Sequence, residues 1–344
     1  MSLSYAFQPA HLLATATLVA GCCSASTPVE PSTEQLQPKP VVGLITKTGT
    51  NPFFLKMHEG AKAAAHAQGV ELRLATGPDG SDGAVLGQAV ERMMDHGAKT
   101  ILITPVNNRV VISALQKARE AGIQVIALDS PTDPADASDA LVATNHYRAG
   151  FLAGQYAKAA LAGKPPVIAT LDLFPGHSLG VQRHNGFMAG FGLPAAAADS
   201  STQSGAPEIV CMADTFGNRA KSKAALAQCL AQHPDINLVY TMNEPVARGA
   251  HDALRAAGKE NAALIVSIDG SCAGVQDVAT GAIAATVQQY PRRMAEQGVA
   301  LGLKYARTGQ RASGYVESDF SLITATPLAG IASLDAEAGA ALCW

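Results

Sequence analysis

The chain has 344 residues, with 25 Lys+Arg against 28 Asp+Glu and a formal net charge of −3. No basic cluster occurs, which excludes the electrostatic footprint of a nucleic-acid binder. Apolar residues make up 48% and charged ones 15%, which excludes a disordered tail or a coiled coil, and no run of eighteen apolar residues reads as a spanning helix.

At about 150 residues per domain the length accommodates two domains. At the N-terminus, HLLATATLVAG (11–21) is an apolar stretch too short to span. Val19-Ala20-Gly21-Cys22 has the form of a lipobox, a signal-peptide ending whose cysteine is lipidated before cleavage. The expectation is a signal and lipobox over 1–22, with Cys22 as the lipidation site. Against it, no Lys or Arg precedes His11, and the alternative is an N-terminus without an export role. Residues 23–40, rich in Ser, Thr, Pro, Glu and Gln, read as a tether. Such an arrangement implies a periplasmic or other extracytoplasmic location, with membrane contact only through the anchor.

From residue 41 the pattern is α/β. Segments 41–46, 70–75, 100–104 and 124–128 read as strands, and apolar runs such as 41–45, 101–103 and 125–128 are what parallel strands covered on both faces show. Phe54, Met57, Ala61 and Ala64 follow helical spacing, with Asn51 as N-cap and Pro52 at the first helical position. Strand starts recur roughly every 25–30 residues, the length of a βαβ unit. After Asn145 the pattern restarts: a helix over 145–163, a strand over 167–173 and a helix near 178–191. Strands at 208–212, 238–241 and 264–268 follow, then one between 283 and 291, and a helix from 291 to about 308. The fold class is therefore two doubly wound parallel-sheet lobes, with a ligand cleft where their strand C-termini face each other.

Enzyme signals are weak. Gly176-His177-Ser178-Leu179-Gly180 matches the G-x-S-x-G nucleophile elbow between a strand and a helix. However, no His follows His251 and no HGGG loop precedes the motif, so Ser178 reads as a glycine-flanked helix N-cap and serine hydrolysis as a remote alternative. There is no G-x-G-x-x-G and no Walker A motif. Asp79-Gly80-Ser81-Asp82-Gly83 resembles a calcium loop, but position twelve is Val90. The His58/His66 and His177/His184 pairs lack zinc spacing, and most of the nine His read as surface residues. No metal, no cofactor and no enzyme activity are expected. With Cys22 lipidated, Cys211, Cys229, Cys272 and Cys343 allow three disulfide pairings, among which the spacing does not choose.

Polar residues collect at the strand C-termini: Lys47, Asn51, Asp129, Arg183, Asn243, Asp269 and Gln289. The mix suits a neutral polyol, since Asp accepts from hydroxyls, Arg and Lys donate, and Asn and Gln do both. Phe53 and Phe54 add flat apolar faces for the C–H side of a sugar ring.

At these residues the sequence resembles a known family. LITKTGTNPFF (44–54), continuing to Lys56-Met57-His58-Glu59-Gly60-Ala61, resembles the start of the ribose/galactose-type periplasmic sugar-binding proteins of ABC importers. Val125–Asp129, Arg183–Phe187, Asn243-Glu244-Pro245, Ser267–Gly270 and Gln288–Pro291 match in order and spacing over 41–344. The resemblance implies a type I periplasmic binding protein whose cleft is lined by Asn51, Phe53, Phe54, Asp129, Arg183, Asn243, Asp269 and Gln289. Within the family it is closest to fructose receptors, on Lys47, Leu128–Pro131, Asp269-Gly270-Ser271-Cys272 and Cys343-Trp344. It departs from ribose receptors at Ser130, where they carry Arg. A phenylalanine near Phe216 aligns only with a one-residue gap.

The resemblance further implies a monomer that hands a monosaccharide, fructose or a related hexose, to ABC permease subunits. The alternatives are a receptor for a chemotaxis or sensor-kinase system and the ligand domain of a lactose-repressor-type regulator. The second of these lacks a basic N-terminus, since residues 1–40 hold one Lys and no Arg. The hinge is expected to be crossed three times, giving 41–144 plus 291–320 as lobe one and 145–290 plus 321–344 as lobe two. Cys272–Cys343 and Cys211–Cys229 are the expected disulfides.

Overall fold

The computed structural model describes residues 38–78, 83–106 and 109–344. The signal segment, Cys22, Cys23, nearly all of the tether and residues 79–82 of the calcium-like loop lie outside the described residues.

The first sheet is built from β1 (Val41–Thr46), β2 (Glu71–Thr76), β3 (Thr100–Ile103), β4 (Gln124–Leu128), β5 (Ala140–Thr144) and β11 (Gly314–Ser318). Their order is β11-β5-β4-β3-β1-β2, and every pair is parallel. Alternate residues of one strand serve opposite cores. Val42 and Leu44 face α1 (Pro52–Gln68) and α9 (Pro291–Thr308), whereas Ile45 faces α2 (Gly83–Asp95) and α3 (Arg109–Glu120). Both faces of the inner strands β1, β3 and β4 are covered, hence their apolar runs, whereas edge strand β2 is mostly half-buried or exposed. Asn51 caps α1 by accepting from the Phe53 amide at 2.9 Å, and Pro52 occupies the first turn.

The second sheet takes β6 (Ile168–Asp172), β7 (Ile209–Asp214), β8 (Leu238–Thr241), β9 (Leu264–Asp269), β10 (Ala285–Gln289) and β12 (Phe320–Thr324), in the order β12-β10-β9-β8-β6-β7. One face packs on α4 (His146–Ala160) and α5 (Ser178–Phe191), the other on α6 (Arg219–Gln232), α7 (Glu244–Ala256) and α8 (Cys272–Ala279). A short α10 (Ala336–Leu342) follows β12. This sheet departs from the all-parallel expectation, because β12 runs antiparallel to β10 at its edge. In both sheets the order reverses beside the first strand, between β1 and β3 and again between β6 and β8. Crevices open there at the strand C-termini.

The chain passes between the two layered sheets three times, each time through one residue: Asn145, Tyr290 and Asp319. These passages are tied together. Asn145 Nδ2 donates to Glu317 at 3.2 Å, the Tyr290 hydroxyl to Ser321 at 2.9 Å, and Arg293 to Asp319 at 2.9 Å. Both disulfides occur with the expected pairing. Cys211–Cys229 joins β7 to α6, and Cys272–Cys343 joins α8 to the C-terminal segment, with Cα separations of 5.8 and 4.8 Å.

Glycines set the approach of α4 to α5. A Cβ at Gly150, Gly154, Gly186 or Gly190 would fall on the backbone carbonyl of Arg183, Phe187, Tyr147 or Phe151 respectively. Two helices touch backbone to backbone through this stripe. Gly190→Ala raises helix propensity by about 1 kcal/mol, but here the packing loss outweighs it. Urea denaturation should show Gly190→Ala less stable by roughly 1–3 kcal/mol; an equal or more stable variant would contradict the close packing.

Candidate functional site

A cavity of about 800 Å³ lies between the C-terminal ends of the two sheets. All nine residues expected to line a cleft reach it: Lys47, Asn51, Phe53, Phe54, Asp129, Arg183, Asn243, Asp269 and Gln289. They do not all stand as the sequence suggested. Asp269 and Gln289 are the last residues of β9 and β10 rather than loop residues, and Arg183 projects from the second turn of α5.

On the first sheet's side, Asp129 follows β4 with φ of 68°, a left-handed conformation that Asp tolerates better than most residues. The Ser130 hydroxyl donates to Asp129 Oδ2 at 3.1 Å and accepts from Lys47 Nζ at 3.4 Å. The ammonium therefore reaches the carboxylate through a serine. Burial holds the Lys47 pKa below its ordinary value, and the charge of Asp129 opposes that shift. Phe53 and Phe54 meet edge to face at 5.4 Å, both nearly buried in the core beneath the cavity.

On the second sheet's side, Arg183 is 3% exposed. Its Nη1 donates to the Met242 carbonyl at 2.7 Å and lies 3.5 Å from Asp269 Oδ1; its Nε donates to His146 Nδ1 at 3.4 Å. Gln289 Nε2 donates to Asp269 Oδ1 at 3.2 Å, while Gln289 Oε1 is buried with no partner. Burial pushes Asp269 up to about 6, against the pull of Arg183. Asn243 caps α7 by accepting from the Val246 amide at 3.2 Å, as Asn51 caps α1. Each asparagine thus spends its carbonyl oxygen on a helix end and retains its NH₂ group.

Four residues at or beside the cavity were missed in the sequence. Glu244 stands in the sequence only as the middle residue of Asn243-Glu244-Pro245, yet it is buried. It accepts from the Gly270 amide at 2.7 Å, the Thr286 hydroxyl at 2.9 Å, and both the amide and hydroxyl of Ser271. Burial, then the charge of Asp269, push it up to about 8, despite those hydrogen bonds. Trp344 also lines the cavity. Its indole donates to the Gln289 carbonyl at 3.1 Å and its ring meets Phe53 edge to face at 5.1 Å, so the C-terminal segment reaches the first sheet's core. His146 and His177 complete the set. His177, a cavity residue, has Nδ1 buried without a partner, and burial with the charges of Lys47 and Arg183 lowers its pKa.

Of the eight described histidines, His58, His146 and His184 are buried and the other five reach the surface at least in part; His58 pairs with Thr46 at 2.9 Å and His184 with Asp172 at 3.0 Å. One sequence reading is corrected here. Ser178 is the first residue of α5, and the N-cap position belongs to His177. Phe216 is 57% exposed and lies outside the cavity lining, stacked on Phe174 at 5.6 Å.

Among the described residues no cluster of His, Cys, Asp or Glu has the geometry to hold a metal ion. What the cavity offers is hydrogen bonding. Cations and carboxylates pair with one another, and amides with open valences face inward.

The model of a periplasmic binding protein domain matches residues 42–311. The D-ribose/D-allose-binding protein of Pseudomonas aeruginosa is 29% identical over 329 residues, covering 92% of this chain and 98% of that protein. The ribose import binding protein of Salmonella typhimurium is 28% identical, covering 83% and 90%. Among solved structures, a periplasmic solute-binding protein of an ABC transporter from Actinobacillus succinogenes, with bound D-allose, superposes with a TM-score of 0.72 at 26% identity, covering 83% and 98%.

Glu244 gives the site a stability signature. A carboxyl whose pKa is raised in the folded state binds its proton more tightly there. Its contribution is complete below the ordinary value of 4.5 and is lost as pH rises through about 8. Glu244→Gln should therefore flatten the fall in unfolding free energy across that window, measured by urea denaturation at a series of pH values. Parallel curves for variant and parent would count against a raised Glu244.

Proposed function

The chain belongs to the periplasmic binding protein family, and we propose that it captures a monosaccharide in this cavity for an ABC importer outside the cytoplasm. The observation that carries the reading is the ring of polar groups drawn from both sheets. Gln289 Oε1 awaits a donor, Asn51 and Asn243 keep their NH₂ groups, and Asp129 and Asp269 keep acceptor capacity beyond their internal partners. Acids and bases in the ring largely offset one another, which suits an uncharged ligand rich in hydroxyls. The volume lies within the roughly 300–1,000 Å³ of small-molecule sites. Relatives named for ribose import binding and for D-ribose/D-allose binding support the same class.

The lobes, 41–144 with 291–320 and 145–290 with 321–344, close on the sugar by rotating about the three one-residue passages. Attachment through Cys22 belongs to the same proposal. The ligand reading is narrower: fructose, or a related hexose, in preference to ribose. Ser130 cannot supply a guanidinium, and the charge near Asp129 comes instead from Lys47, a compact ammonium entering from the β1 loop. A point charge and a planar fork select different hydroxyl geometries.

Calorimetry against a panel of ketoses and aldoses tests both levels. Fructose should bind more tightly than ribose, and saturating sugar should raise the melting temperature, since ligand at 100 times Kd stabilises by about 2.7 kcal/mol. Lys47→Ala should weaken binding by ~1.5–3 kcal/mol, the range for a hydrogen bond to a charged group. Ser178→Ala should leave affinity unchanged. Tighter ribose binding would overturn the hexose assignment, and binding of no sugar at all would overturn the function.

A further inference from the structure

His146 is the first residue of α4, directly after the Asn145 passage, and is 3% exposed. Its two ring nitrogens join groups that face the cavity from opposite lobes. Nε2 lies 3.1 Å from the backbone carbonyl of Asp129, and Nδ1 lies 3.4 Å from Arg183 Nε. The partners fix the proton. A carbonyl only accepts, so Nε2 carries the hydrogen; a guanidinium only donates, so Nδ1 must be the bare acceptor. One neutral tautomer satisfies both contacts. The imidazolium would turn Nδ1 into a second donor aimed at Arg183 and break that contact. Burial and the charge of Arg183 push the ring's pKa down to about 4, which keeps it neutral at pH 7.

We infer that His146 is a positioning residue of the ligand site, a neutral imidazole that sets Asp129 and Arg183 relative to each other across the hinge. Asp129 holds a positive φ, and the hydrogen bond to its carbonyl secures that peptide. Arg183 is oriented by three contacts, of which His146 supplies the one at Nε, leaving Nη1 on Met242 and Asp269. The glycine contact between α4 and α5 makes this reach available, because Gly150 lies against the Arg183 carbonyl itself.

This inference rests on the sugar reading of the cavity, and its test separates the two. His146→Gln keeps an amide donor for the Asp129 carbonyl, His146→Asn keeps an oxygen acceptor for Arg183, and His146→Leu keeps neither. Sugar affinity by calorimetry should fall on the order of tenfold or more in His146→Leu, with Gln and Asn each recovering part of the loss. A Leu variant that binds as the parent does, or Gln and Asn variants as weak as Leu, would overturn the positioning role. Independently of any sugar, nitrogen NMR of the parent at pH 7 should show His146 as the Nε2–H tautomer, assigned by the signal missing in His146→Gln. The Nδ1–H tautomer or an imidazolium would overturn the inference even if sugar binds. If no sugar binds the parent, the functional reading fails and the tautomer alone decides for His146.

Discussion

Arg183 is almost wholly removed from water, and a buried guanidinium is strongly unfavourable unless its N–H groups are met. Much of the second lobe's geometry follows from meeting them. The Met242 carbonyl is supplied by the turn between β8 and α7, Asp269 by the end of β9, and the His146 ring by the start of α4. Asp269 in turn requires Gln289 at the end of β10 and takes the Glu244 amide at 3.4 Å. Three strand ends and two helix starts are thereby registered on a single charge. A substitution removing that charge would leave Asp269, beside the buried Glu244, without its guanidinium partner.

Burial first, and crowding of the carboxyls after it, explain the raised acids. Asp129, Glu244 and Asp269 are all buried or nearly so, and the charge of Asp129 or Asp269 raises the pKa of a neighbouring acid. Arg183 offsets part of this at Asp269. The outcome is a site whose polarity is short-range, presented by individually placed donors and acceptors.

The main architecture was legible because strands covered on both faces leave an unmistakable trace. Val239 faces one helix layer while Leu238 and Tyr240 face the other, so apolar residues run without a break. The strands missed were β5, β11 and β12. The first is a short run rich in alanine, and the other two are edge strands, with β11 mostly exposed and half uncovered by any core. Site residues just beyond strands showed as polar punctuation at the ends of apolar runs. Glu244 did not, because an acid in the first turn of a helix already has a local reason to be there. His146 and Trp344 were hidden for another reason: the groups they touch lie far away in the chain, at Arg183 and Phe53, and no periodicity encodes such meetings.

The three one-residue passages also decide when the molecule can come into being. The strands β1 to β5 are complete by residue 144, yet α9 covers that sheet with Met294, Ala295, Val299 and Leu303, and β11 closes its edge on β5. The second sheet likewise waits for β12 on β10. With residues 145–290 intervening, the first lobe pays a long loop closure before its core can be sealed, and contacts so distant in sequence form slowly. Neither lobe can be finished before the ribosome has passed residue 318. Apolar strand faces such as Val42 and Leu44 have α1 over them but not α9 until then, so the emerging chain carries incompletely covered apolar surface through most of its synthesis.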